Sequence, residues 1–230
     1  MDDLEHLKQE AAERAVDAVR SGMRVGLGTG STARWAIVSI GRRLAAGQLA
    51  GVVGVATSGE TEALARAAGV PLEPLDARAL DVAIDGADEI SPTLELIKGR
   101  GGALVRERLV ALQAREFIVV ADHTKRVQRL GEKNPVPLEV LAFGYEATLA
   151  RVQRLCGVAP RLRRGADGTP LRSDNGNLLA DLALGVLEDP AAQHAQLESV
   201  PGVVDCGLFL GMAHRALVAY PDGVRSYARP

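Results

Sequence analysis

Met23-Arg-Val-Gly-Leu-Gly-Thr-Gly-Ser-Thr-Ala33 joins a short apolar strand, a glycine-rich turn and the first residue of a helix. Met23–Leu27 is too short and apolar for anything but a buried strand, and the helix is predicted to run to about Ala46. The same order recurs downstream. Val52–Ala56 reads as a second strand, and Thr57-Ser-Gly-Glu60 turns into a helix over 61–68. Leu72–Pro74 is a short extended piece. Val82–Ile84 is a strand ending in Asp85-Gly-Ala-Asp-Glu89, and Phe117–Ala121 is another, ending at Asp122. Upstream, 4–20 is predicted as an amphipathic helix with Leu4, Leu7, Ala11, Ala15, Val16 and Val19 inward, closed by Ser21-Gly22. Strands alternating with helices at this spacing imply parallel βαβ units. Ligands of such sheets gather beyond the carboxyl ends of the strands. Three polar or glycine-rich loops leave at that edge, after residues 27, 84 and 121.

The texture changes near Leu130, where Gly131-Glu-Lys-Asn-Pro-Val-Pro137 reads as a linker. Beyond it come a strand (138–142), a helix (145–155), strands near 160–163 and 178–182, a helix (190–198) and a strand (203–209). That order, βαββαβ, points to a small ferredoxin-like unit. Asp174-Asn-Gly-Asn177 is a hairpin signal between its two middle strands. Residues 215–227 give two more strands about the turn Pro221-Asp-Gly223.

Composition narrows the partners. A chain of 230 residues with 47% hydrophobic content is globular and long enough for one large or two small cores. A net charge of -2 and no basic helix argue against nucleic acid. No apolar run reaches membrane-spanning length. The acidic start, Met1-Asp-Asp-Leu-Glu5, is unlike a secretory or transit peptide. Cys156 and Cys206 lack a partner motif and read as core thiols in a reducing compartment, so the cytoplasm is expected. Of 27 Lys+Arg only Lys8, Lys98, Lys125 and Lys133 are lysine. A position that keeps lysine here is read as needing a compact, mobile ammonium.

Four segments carry candidate chemistry. In Gly28-Thr-Gly-Ser-Thr-Ala33, backbone N–H groups and the Ser31 and Thr32 hydroxyls can wrap a phosphate at a helix start; the alternative is a glycine turn capped by Ser31. The stretch matches G-x-G-x-x-A, but no Asp or Glu lies between Thr32 and Gly59 to hold a ribose. That favours a phosphate monoester over a dinucleotide. Asp85-Gly-Ala-Asp-Glu-Ile90 offers three carboxylates, open to three readings: a solvated turn, a metal site without a nearby histidine, or acid–base work on hydroxyls. Lys98-Gly-Arg-Gly-Gly-Ala-Leu-Val-Arg-Glu107 is a glycine loop feeding a helix, with Ala103, Leu104, Glu107, Arg108, Ala111 and Leu112 at helical spacing. It reads as a ligand loop or as a turn before a solvated charge run. Ala121-Asp-His-Thr-Lys-Arg126 can bring Lys125 to the phosphate edge, or is a helix start capped by Asp122 or Thr124. His123 reads as buried or capping.

Taken together these segments resemble type A ribose-5-phosphate isomerases, through Gly28–Thr32, Asp85–Ile90, Lys98–Glu107 and Ala121–Lys125. Pro137-Leu-Glu-Val140, Ser173-Asp-Asn-Gly-Asn177, Pro201–Val204 and Gly207–Phe209 extend the match in order over nearly the whole chain. Arg100 departs from a run that is often all small in relatives. The resemblance implies an α/β fold: a Rossmann-like domain with a mostly parallel sheet (1–131 with 210–230) and a ferredoxin-like domain (132–209). It implies interconversion of D-ribose 5-phosphate and D-ribulose 5-phosphate with no metal or other cofactor, in a homodimer or homotetramer. Glu107 falls on the family's base, Lys98 is suited to the enediolate oxygen, and Asp85 and Asp88 to the sugar hydroxyls. Substrate contacts are expected from Thr29, Gly30, Ser31, Thr32, Asp85, Gly86, Ala87, Asp88, Lys98, Gly99, Arg100, Gly101 and Lys125, with Lys8 a weaker phosphate candidate.

Overall fold

The computed structural model describes residues 3–229, and its backbone divides into two compact units. The first takes the chain through Ala87, then Arg106–Lys125, then the part from Gly211 onward. The second takes Asp88–Val105 and Arg126–Leu210. Residues 88–105 and 126–131 thus group with the second unit, a different division from the one expected at 131.

In chain order the first unit opens with α1 (Asp3–Val16), β1 (Arg24–Leu27), α2 (Ala33–Ala45), β2 (Val53–Ala56), α3 (Gly59–Ala67) and β3 (Val82–Gly86). Next come β4 (Glu89–Ile90), β5 (Leu96–Ile97), α4 (Leu104–Gln113) and β6 (Phe117–Asp122), then a 3-10 turn over His123–Lys125. They are followed by β7 (Val136–Val140), α5 (Tyr145–Cys156), β8 (Arg161–Leu162), β9 (Leu178–Leu182), α6 (Pro190–Glu198), β10 (Val203–Cys206) and β11 (Leu208–Phe209). The hairpin β12 (Arg215–Tyr220) and β13 (Gly223–Ala228) belongs to the first unit.

The first unit is built on a six-stranded sheet in the order β13-β12-β6-β3-β1-β2. Every pair is parallel except the β12–β13 hairpin. Leu27 stands level with both Ala56 and Ile84, so the loops after β1, β2 and β3 leave together. The strands are short apolar runs because both faces are covered. On one side Leu7, Ala11, Val16, Ile37 and Ile40 pack with Val25, Leu27, Ile84, Ile118 and Val120.

The helix expected over 4–20 stops at Val16, and Leu4 is 42% exposed. Its last turn tightens into i→i−3 bonds from Ala18 and Val19, and the Arg20 guanidinium takes the Asp17 carbonyl. Near its start, Glu5 accepts the Trp35 indole N–H at 2.8 Å and the Lys8 ammonium at 3.2 Å. The Trp35 hydrogen bond, helped by Lys8, holds the Glu5 carboxyl below its ordinary 4.5. A depressed carboxyl stabilises the fold above that ordinary value and loses the contribution as pH falls through its folded value. Emission of Trp35, the single tryptophan, is therefore expected to shift as pH falls below the ordinary 4.5, and Glu5→Gln to abolish the step. A step unchanged in Glu5→Gln would assign it to another group.

The second unit carries an antiparallel sheet in the order β10-β7-β9-β8. Numbered within the βαββαβ run this is 4-1-3-2, the ferredoxin-like arrangement expected from the element order. Its core joins Val136, Leu138, Val140, Val152, Leu178, Ala180 and Leu197. The link between β8 and β9 folds as two successive turns, with bridges Arg164–Pro170 and Arg172–Leu178. Glu139, fully buried on β7, organises the second turn: its Oε1 accepts from Ser173 Oγ (2.8 Å), Asn175 Nδ2 (3.0 Å) and Asn177 Nδ2 (2.8 Å).

Two expectations need correcting here. Gly131–Pro137 is no loose linker. The buried Glu89 carboxylate accepts N–H groups of Gly131 (2.7 Å), Lys133 (2.7 Å) and Asn134 (2.6 Å), and the last residues enter β7. The strand expected over 203–209 is two strands broken at Gly207. Its N–H donates to Pro137 O (2.7 Å) while its carbonyl accepts from Lys98 N–H (2.9 Å). One residue thus passes the chain from the antiparallel sheet into a three-stranded sheet, β11-β5-β4.

Candidate active site

In the first unit the loop after β1 lies against the end of β3. Asp85 Oδ1 accepts backbone N–H groups from Thr29 (3.1 Å) and Gly86 (2.7 Å). This approach requires glycine at 28, where a Cβ would stand 2.1 Å from Asp85 Oδ1 and 2.6 Å from its Cα. The Thr29 hydroxyl turns inward, within 2.7 Å of Thr57 Oγ1, 2.8 Å of Ser58 Oγ and 3.0 Å of Thr61 Oγ1. Thr57 and Thr61 pass the network on to the carbonyls of Leu27 and Gly28. The loop is therefore fixed by its side chains and offers a ligand mainly its backbone. Gly30 (φ 109°) and Ser31 are exposed at its tip. The N-cap of α2 is Thr32, not the Ser31 of the capped-turn alternative, and its side chain makes no cap bond. The N–H groups at a helix start carry partial positive charge and suit a phosphate.

Lys125 sits half-buried in the turn that follows β6. β6 is two strands from β1, so the turn and the glycine loop leave one edge roughly 10 Å apart. Asp122 accepts from Thr124 N–H (2.9 Å) and from its hydroxyl, the capping role expected. His123 stacks on Tyr220 with centroids 5.7 Å apart, a packing role. Lys8 is tied to Glu5.

Glu107 lies on the inward stripe of α4 with Leu104, Val110 and Ala111, and only 4% of it is exposed. Leu112, read as sharing that face, is 64% exposed. A carboxylate where the helix otherwise buries Leu, Val and Ala is costly to desolvate and marks function more often than packing. The reading of 106–108 as a solvated charge run fails at this residue.

In the second unit Lys98 directly follows β5 and is 2% exposed. Its Nζ stands 5.5 Å from the centroid of the Phe209 ring, where the π face faces the ammonium. Gly99 follows at φ 100°, a conformation L side chains rarely adopt, and a Cβ there would meet Leu104 at 2.8 Å. Gly101 and Arg100 are exposed. Arg100 N–H donates to Asp88 Oδ2 at 3.1 Å. Both residues line a cleft of about 820 Å³ with Lys133, Asn134, Arg161 and Arg164.

The three carboxylates of Asp85–Glu89 take different partners: Asp85 meets backbone N–H groups of the glycine loop, Asp88 the Arg100 amide, and Glu89 the 131–134 loop. Among the described residues, the cluster with metal-ligating atoms close together is His194, Asp205 and Cys206, which includes none of these three. Sequence reasoning missed the Thr57, Ser58 and Thr61 hydroxyls and Phe209 as site residues. Thr57-Ser-Gly-Glu60 was legible only as a helix start, which it also is: Ser58 caps α3 through Thr61 N–H.

A sequence model of the family Ribose 5-phosphate isomerase A (phosphoriboisomerase A) matches residues 53–223. The Ribose-5-phosphate isomerase A of Deinococcus radiodurans is 54% identical over 227 residues, covering 99% of this chain and 100% of that one. That of Roseiflexus castenholzii is 52% identical, covering 97% and 95%. Among solved structures, a D-ribose-5-phosphate isomerase in complex with phospho-erythronic acid superposes with a TM-score of 0.95 at 37% identity, over 99% of this chain and 100% of that one. The Plasmodium falciparum ribose 5-phosphate isomerase gives 0.94 at 38%, over 98% and 99%. A family match over most of the chain, full-length relatives above 50% identity and the same fold throughout agree: this chain belongs to the ribose 5-phosphate isomerase A family.

Proposed function

We propose that this chain interconverts D-ribose 5-phosphate and D-ribulose 5-phosphate through an enediolate. Family membership supports the overall reaction. The observation that carries the residue roles is the burial of two opposite charges, Lys98 and Glu107, each at its place in the family's motif.

The aldose must lose the proton on C2 and gain one on C1. Glu107 takes the first and returns it to the neighbouring carbon, so one carboxylate serves both half-reactions. Negative charge grows on the former carbonyl oxygen, and the Lys98 ammonium balances it. Asp85 and Asp88 hold sugar hydroxyls, and Asp85 assists ring opening. Backbone N–H groups of Thr29, Gly30, Ser31 and Thr32 take the phosphate, and Lys125 neutralises part of its charge. Gly86, Ala87, Gly99, Arg100 and Gly101 complete the substrate contacts.

The reaction needs no metal in this reading. Ribose 5-phosphate conversion, followed by appearance of the ketose, is expected at the same rate with and without EDTA. Loss on EDTA with recovery on Mg²⁺ or Mn²⁺ would transfer the chemistry to a metal at the Asp85 loop. No described helix is long and apolar enough to cross a membrane. We place the enzyme in the cytoplasm as a homodimer or homotetramer. Phe143, 96% exposed, and the outward Leu109 and Leu112 are apolar surface that a second copy would cover. Light scattering on an eluting peak reads the subunit number.

A further inference from the structure

The peptide joining Gly99 to Arg100 is gripped on both sides. Its carbonyl accepts from Arg163 Nη1 at 3.1 Å, and its N–H donates to Asp88 Oδ2 at 3.1 Å. The next carbonyl, of Arg100, accepts from the same Nη1 at 2.9 Å. The other edge of the guanidinium lies on Asp181, with Nε to Oδ2 at 2.9 Å and Nη2 to Oδ1 at 2.6 Å. Both side chains are largely withdrawn from water, at 13% and 16% exposure.

We propose that Arg163, fixed by Asp181, is a positioning residue for the isomerisation: it sets the Gly99–Arg100 peptide so that its N–H faces Asp88 and the loop carries Lys98 in place. The inference rests on the reading that Lys98 and Asp88 act on the substrate. In a trans peptide the carbonyl and the N–H point opposite ways, so a flip of this plane breaks both contacts at once. Glycine resists such a flip poorly, because without a Cβ it tolerates many backbone angles. The restraint must come from outside the loop, and the Arg163 fork supplies it. Hydrogen bonds along one peptide also polarise each other, so the Arg163 contact strengthens the N–H donated to Asp88. Lysine cannot replace the fork, since one ammonium cannot span a carboxylate and two carbonyls.

Arg163→Ala, Arg163→Lys and the parent enzyme are compared by kcat and KM for ribose 5-phosphate, by Tm, and by hydrogen exchange of the amides of residues 100–102. The expected result is a fall in kcat/KM of roughly 10- to 100-fold in both variants, the cost of a charge-assisted bond. Faster exchange in the loop and partial recovery of the Arg163→Ala rate with millimolar guanidinium, but not with equal NaCl, complete it. At millimolar concentration guanidinium barely alters folding stability, so a variant that had merely lost stability would not be rescued by it. Turnover within twofold of the parent, unchanged loop exchange, or a loss that tracks Tm without guanidinium rescue would each overturn the proposal. If the parent itself leaves ribose 5-phosphate unconverted, the isomerase reading has failed, and loop exchange alone decides whether Arg163 holds the loop.

Discussion

Glu107→Gln lowers kcat for ribose 5-phosphate by at least about 10²-fold while Tm stays within a few degrees of the parent. The amide has nearly the volume of the carboxylate, so the inward stripe of α4 keeps its packing while the proton acceptor and its charge go. The two effects must separate, because a variant that lost activity through unfolding would lose both together. A second readout is independent of rate. An enediolate formed by a carboxylate base exchanges the transferred hydrogen with solvent, so the parent incorporates deuterium from D₂O into the sugar, and Glu107→Gln does so far more slowly. Near-parent turnover in this variant would remove Glu107 from the base role and leave the family's reaction without its assigned acceptor in this chain.

Gly28→Ala has a comparable effect on activity by a different route. The added methyl would lie 2.1 Å from Asp85 Oδ1, 2.3 Å from its Cγ and 2.6 Å from its Cα. No rotation of the Asp85 side chain clears a clash that includes its own backbone, so the loop and the end of β3 must part. Overpacking of this kind costs about 1–3 kcal/mol. For a chain of this size each kcal/mol lowers Tm by about 2–4 °C. Displacing Asp85 and the amide of Thr29 by about 1 Å is expected to cost around 10²-fold in kcat/KM. The signature is thus a combined loss of Tm and activity, in contrast to Glu107→Gln. An active Gly28→Ala with the parent's Tm would show that the loop does not need to lie so close to Asp85.

Much of this was legible in the residues. The parallel core could be read because its strands are short apolar runs ending in glycine or aspartate, as at Leu27-Gly28 and Ile84-Asp85. The βαββαβ run of the second unit could be read because its two helices and four strands are regular enough to count. What escaped was non-local. β4, β5 and β11 are two residues each, too short to show a period, and exist only because they pair with one another. Glu89 read only as one of three carboxylates open to a turn, metal or acid–base role, and its actual partners lie more than 40 residues away. Arg163 looked like one of many arginines, and it meets Gly99 across 64 residues. Hydrogen bonds of this reach leave no periodic trace, so motif reading finds the groups that touch a ligand more readily than those that hold them still.

The strand order of the first unit bears on how the protein is made. β12 comes from the last stretch of the described chain, yet it lies inside the sheet, between β6 and β13. A ribosome that has already delivered β1, β2, β3 and β6 still holds back the strand that shields the flank of Phe117–Asp122, a run buried at every position in the finished fold. The strands of the second unit's four-stranded sheet, all within 136–206, are complete before that moment. During synthesis the nascent chain therefore carries an open, sticky flank until Arg215–Tyr220 emerges, and stop codons just before Arg215 should yield aggregating products that depend on chaperones.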